Sequence, residues 1–252
     1  MYDGTCRFLA EHFSADFASW LLGESVTLTE IQPSELSLDP IRADAMILLQ
    51  SDQSILHLEF QTLPKQEIPF RMLDYRVRGQ RRYKNKPMRQ VVIYLKPTTS
   101  ELVYQTSYSL ERTRHEFDVI RLWEQPASLF LQYPGLLPFA TLGQSDNPEG
   151  VLRQVTQLVN QIEDPTTQAN LMAASAILAG LRLEDDVIRR LVQRSIMQES
   201  VVYRSIQKEK AQEIALNLLR RGVEIEIIAS STGLSIEEVQ QLYQQINEST
   251  QS

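Results

Sequence analysis

The chain has 252 residues, 42% of them hydrophobic and 23% charged, with a net charge of −7. That length suits one large domain, or a domain with a helical appendage, and buries a substantial core. A single cysteine, Cys6, excludes an internal disulfide framework and a metal cluster of the cysteine type.

The longest mostly apolar run, at 171–181, falls short of the ~20 residues a membrane-spanning helix needs. No basic-then-apolar leader opens the sequence. A cytoplasmic protein with no membrane partner is therefore expected. The negative net charge hides an uneven distribution. Residues 1–64 hold 2 basic and 10 acidic side chains, whereas residues 65–96 hold 10 basic and 2 acidic. Within that block RVRGQRRYKNK (76–86) has six cations and no acid. It is either a solvated helix face or a stripe that grips phosphates.

In chain order, apolar residues recur at helical spacing over 4–22, ending at Gly23. SVTLTEIQ (25–32) reads as a strand, and PSELSLDP (33–40) as turns. ADAMILLQ (43–50) predicts a central, buried strand, SDQS (51–54) a hairpin loop, and ILHLEFQT (55–62) the returning strand. A helix over 70–85 carries the basic stripe, and RQVVIYLKP (89–97) follows as a fourth strand. Strand-like pieces at 102–107 and 115–124 precede an irregular stretch at 132–139. GQSDNPEG (143–150) is the best boundary, giving regions 1–142 and 151–252.

After it the texture is helical. The run 224–246 reads as helix, glycine turn, helix, with Ser235 and Glu238 spaced as a capping box. This end resembles a helix-turn-helix. Glu237, Glu238, Gln240, Gln241 and Gln244 on its second helix suit packing or self-association better than base reading.

The chemistry concentrates on HLEFQ at 57–61. Leu58 and Phe60 point one way, and His57, Glu59 and Gln61 the other. In a hairpin centred on SDQS, Asp44 at the start of one strand approaches Glu59 at the end of the next. Two carboxylates at a buried edge repel, and a divalent cation relieves both the repulsion and the desolvation. Ordinary strand polarity is the competing reading.

Helix, RADAMILLQ, gap, ILHLEFQT, then PFRMLDYRVRGQRRY and QVVIYL resemble the PD-(D/E)XK nuclease superfamily. More specifically, the chain is similar to the bacterial Rpn-type recombination-promoting nucleases, also described as PD-(D/E)XK nuclease family transposases. YDGTCRFLAEHFSADFASWLLG is similar to the first helix of cyanobacterial members. The likeness covers residues 1–125 and, less specifically, the C-terminal helices.

It implies an α/β, restriction-endonuclease-like core, with a mixed sheet flanked by helices, and an all-helical C-terminal region. The implied function is Mg²⁺-dependent DNA endonuclease, with Mn²⁺ able to substitute, linked to recombination or mobile elements. The alternative is a catalytically weak or inactive nuclease fold that binds DNA or protein. The resemblance assigns Asp44 and Glu59 to the metal, Phe60 to the variable position, and Gln61 to the place of the motif lysine. The first helix adds a candidate accessory acid, Glu11, with Asp3 second. Arg71, Tyr75, Arg78 and Arg82 become candidate DNA-backbone contacts, although Tyr75 as core and Arg71 as a salt-bridge partner is an equal reading. A homo-oligomer, a dimer, is expected.

Overall fold

The computed structural model describes residues 2–24, 26–30, 46–192 and 201–250. For Met46, Leu48, 201–206 and 245–250 it describes the backbone only. Asp44 and the turn expected over 33–40 lie outside the described residues.

Two helices, α1 (Tyr2–His12) and α2 (Ser14–Leu22), open the chain. One continuous helix was expected there. The break falls at Phe13, because the Ser14 hydroxyl is buried and bonded to Leu28, donating to its carbonyl (2.8 Å) and accepting from its N–H (3.2 Å). Five strands form the main sheet: β1 (Thr29–Glu30), β2 (Met46–Gln50), β3 (Ile55–Gln61), β4 (Met88–Tyr94) and β7 (Asp118–Arg121), in the order β1-β2-β3-β4-β7. β2 and β3 form the expected antiparallel hairpin. β3–β4 and β4–β7 are parallel, so the sheet is mixed. Helix α3 (Ile68–Arg82) makes the β3-to-β4 crossover.

The stretch at 102–107 is not a strand throughout. Glu101–Tyr104 form a 3₁₀ turn, capped by the Ser100 hydroxyl accepting from Leu102 N–H, before β5 (Ser107–Leu110) begins. The stretch at 115–124 divides as well. β6 (Thr113–Glu116) pairs with β5 in a separate hairpin, and Phe117 turns into the core. β7 then joins the main sheet. The irregular stretch becomes a buried 3₁₀ segment, Pro134–Leu142.

Both faces of β3 are covered, and its alternation sorts the residues. Leu56, Leu58 and Phe60, with Val91, Ile93 and Leu95 around β4, join a large apolar cluster. That cluster also takes in Leu9 and Phe17 from the first two helices, Phe139, and Leu152 and Leu171 from α5 (Pro148–Val159) and α6 (Pro165–Ala179). Val92 and Tyr94 on the opposite face pack with Ile68 and Met72 of α3 and with Phe117. After α4 (Ala127–Phe130), α5, α6 and α7 (Asp185–Leu191), three helices complete the chain: α8 (Val201–Arg220), α9 (Ile225–Thr232) and α10 (Ile236–Thr250). They bury their own apolar cluster, including Ala215, Ile228, Leu234 and Val239. Among the described residues no helix is long and apolar enough to cross a membrane.

Candidate active site

The odd-numbered residues of β3 form a polar seam between sheet and helix. His57, Glu59 and Gln61 are 0%, 1% and 5% exposed. The seam is closed by α3, whose Arg71 and Tyr75 lie one turn apart and face the strand. Arg71 Nη2 stands 3.0 Å from Glu59 Oε1. The Gln61 side-chain amide donates to the same oxygen at 2.9 Å. Tyr75 is buried, with its ring edge-on to His57 at 5.3 Å. The Arg71 guanidinium lies 5.8 Å from the centre of that tyrosine ring. Arg71 is thus ion-paired and Tyr75 is buried.

A second contact chain fixes the histidine. Gln90 Nε2 donates to the Met72 carbonyl at 2.8 Å and lies 2.9 Å from His57 Nδ1. A carbonyl only accepts, so the hydrogen-bond network assigns the amide NH₂ to this side. Nδ1 is then the acceptor, and the neutral ring carries its proton on Nε2. Burial, with Arg71 and His115 adding to it, pushes the His57 pKa down to about 3, so the ring is neutral. His57 Nε2 and Glu59 Oε2 are both buried without a hydrogen-bond partner, 3.9 Å apart.

Burial pushes Glu59 up to about 7, outweighing the opposing pull of Arg71 and the Gln61 amide. Asp3 on α1 adds to the rise. Tyr94 is raised as well, by burial and then by the Glu59 charge. Burial thus favours the protonated form of Glu59, and any cation reaching Oε2 would draw it to the carboxylate.

The other expected residues divide. β2 is described from Met46, which pairs with Glu59. Glu11 has Arg7 and Glu30 as neighbours. Arg7 lies 3.7 Å from both Glu11 and Glu30, and burial together with Glu30 raises the Glu11 pKa to about 7. Asp3, the second acid considered on that helix, is the one that acts on Glu59. Arg78 pairs with Asp74 at 2.9 Å, one turn back on α3. Arg82 is exposed at the end of that helix, next to exposed Arg81. Arg76 donates to the Met88 carbonyl. The basic stripe therefore has an inward arginine, structural arginines and an exposed end.

Among the described residues no group of three His, Cys, Asp or Glu is placed to hold a metal. A cleft of about 700 Å³ between the start of β4 and β7 reaches Gln90 but not Glu59. The 1% exposure of Glu59 agrees with that.

The Gln90–His57 pair was not foreseen as a site feature. The available signal was Gln90 itself, a polar residue at the head of a β-branched run on the same parity as Val92 and Tyr94.

The C-terminal unit is built by local signals. The Ser235 N–H donates to Glu238 Oε2 at 2.9 Å, and the Glu238 N–H donates to Ser235 Oγ at 3.1 Å, the expected reciprocal cap. Gly233 ends α9 with φ of +73°, a conformation that favours glycine. Lys208 on α8 holds Glu238 at 2.6 Å, so this acid is already paired.

A mixed α/β sheet flanked by helices, with a helix-turn-helix end, defines the class. Residues 208–244 match the Rpn/YhgA-like nuclease family, C-terminal HTH domain. No curated protein and no solved structure matches the chain.

Proposed function

We propose that the protein is a metal-dependent DNA endonuclease of the PD-(D/E)XK type and a member of the Rpn/YhgA-like nuclease family. The observation that carries this reading is Glu59, a buried carboxyl on the central strand whose Oε2 has no hydrogen-bond partner. A buried acceptor of that kind costs stability unless something satisfies it, and a divalent cation is the partner this reading assigns to it. The HTH match at 208–244 supports a nuclease-related role.

In this reading Glu59 and Asp44 hold Mg²⁺ or Mn²⁺. The ion, when bound, supplies Lewis-acid stabilisation of the phosphoryl centre and acidifies a water. Gln61 orients that water or the phosphate, and its amide takes no proton. Asp3 supplies the accessory charge near Glu59. The exposed end of α3, with Arg82, grips the DNA backbone, helped by Arg78. The helix-turn-helix end adds a second DNA contact.

Incubating the purified protein with supercoiled plasmid and Mg²⁺ or Mn²⁺ tests this. Wild type is expected to nick the plasmid and Asp44→Ala to leave it intact. Equal nicking by both would contradict the assignment. The engagement of Glu59 by Arg71 favours a second reading, a binding module on an inactive nuclease fold. Salt-sensitive DNA binding with no metal-dependent nicking would support that one.

A further inference from the structure

We infer that Arg71 supplies, from α3, the positive charge that a lysine would carry at position 61. The inference rests on the nuclease reading.

Gln61 is neutral, and its amide N–H is directed at Glu59 Oε1, 2.9 Å away. Arg71 Nη2 reaches the same oxygen at 3.0 Å. Two groups converging on one atom share one small volume, so the guanidinium occupies the neighbourhood where the side chain of residue 61 ends. The charge missing from the strand is therefore present in space, delivered by the helix.

Three further features suit it to a phosphate rather than to Glu59 alone. The Arg71 side chain is 23% exposed, against 1% for Glu59, so part of it reaches solvent beside the buried carboxyl. A guanidinium is planar with five N–H donors, enough to hold a carboxylate on one edge and phosphate oxygens on another. Its helix is anchored on both sides of it, because Ile68, Met72 and Tyr75 are buried. A preorganised cation acts more strongly than a mobile one on charge that develops during reaction.

In phosphodiester hydrolysis a water oxygen bonds to phosphorus, one P–O ester bond breaks, and the departing oxygen gains a proton as the water loses one. Arg71 transfers no proton, since a guanidinium stays charged in proteins. It offsets the negative charge building on the non-bridging oxygens.

The rival role is that of a counter-ion for a buried carboxylate. The decisive variant is the exchange Arg71→Gln/Gln61→Lys, which keeps the net charge and gives Glu59 a cation from the strand. It is compared with wild type, Arg71→Gln and Arg71→Lys in three measurements. These are the single-turnover nicking rate in Mn²⁺, the thermal midpoint, and the affinity for a labelled DNA duplex in Ca²⁺.

Arg71→Gln is expected to slow nicking by about 100-fold, the scale of losing one donor to a developing oxyanion, and to weaken duplex binding. The exchange variant is expected to recover most of that rate, and Arg71→Lys to fall between. Nicking by folded Arg71→Gln within about threefold of wild type would overturn the inference while leaving the nuclease reading intact. So would a folded exchange variant no faster than Arg71→Gln. Should Arg71→Gln fail to fold, the exchange variant alone decides, by its rate against wild type. A wild type that does not nick removes the nuclease reading, and the inference with it.

Discussion

The seam around Glu59 and the helix-turn-helix end are built on opposite principles. The seam is a non-local object. His57, Glu59 and Gln61 come from one strand, Arg71 and Tyr75 from a helix, and Gln90 from another strand, and nothing within any one segment announces that they meet. The C-terminal unit is local. Ser235, Glu238 and Gly233 act within a few residues of one another, and its apolar cluster is its own. Buried and exposed ion pairs make the same contrast. Arg71–Glu59 has one partner at 1% exposure, whereas Lys208 and Glu238 are 56% and 33% exposed.

The contrast yields a graded set of expectations. Arg71→Ala leaves a buried carboxyl without its cation and should cost about 3 kcal/mol at pH 8, seen in urea unfolding. Lys208→Ala, which opens the exposed pair, should leave the urea midpoint unchanged within error. Comparable losses in the two variants would show that burial is not what separates the regions.

Gln90→Leu strands the Met72 carbonyl and removes the donor to His57 Nδ1. It should cost about 2 kcal/mol by the same measurement. A neutral result would mean that the Gln90–His57 link carries no energy.

Glu11→Gln should stabilise, and only on one side of neutrality. The Glu11 carboxyl is raised from 4.5 to about 7 by burial and by Glu30. Its contribution to stability is complete below pH 4.5 and is lost as the pH rises through about 7. The glutamine variant should therefore match wild type at pH 4 and exceed it by about 1–2 kcal/mol at pH 8, after allowance for partial exposure. A difference that is the same at both pH values would contradict the assigned shift.

Gly233→Ala forces a side chain into a φ of +73° and should cost about 1 kcal/mol. The loss should appear as a lower thermal midpoint with unchanged metal binding.

What was legible in the sequence follows the same division. The hairpin about SDQS, the parity of β3, the helix after it and the capping box were all readable, because each depends on residues close in sequence. Burial of the polar face was not. Alternation tells which residues share a face, but only the packing of α3 decides whether water reaches it. The same holds for Arg71, which a basic stripe presents as surface and the fold turns inward. Of the two acids considered on the first helix, Asp3 is the one whose charge raises the Glu59 pKa, an effect that helix position does not announce. The break at Phe13 came from a contact between Ser14 and Leu28 that spans a connection.

At the centre of HLEFQ, Gln61 and Arg71 together engage one carboxylate oxygen of Glu59. The most direct measurement is plasmid nicking in Mn²⁺ by wild type and by Glu59→Gln, purified identically and confirmed as folded by thermal melting. The account predicts nicking by wild type and loss of about 100-fold or more in the variant, which keeps the shape but not the charge of the proposed ligand. Equal nicking by the two proteins would contradict it.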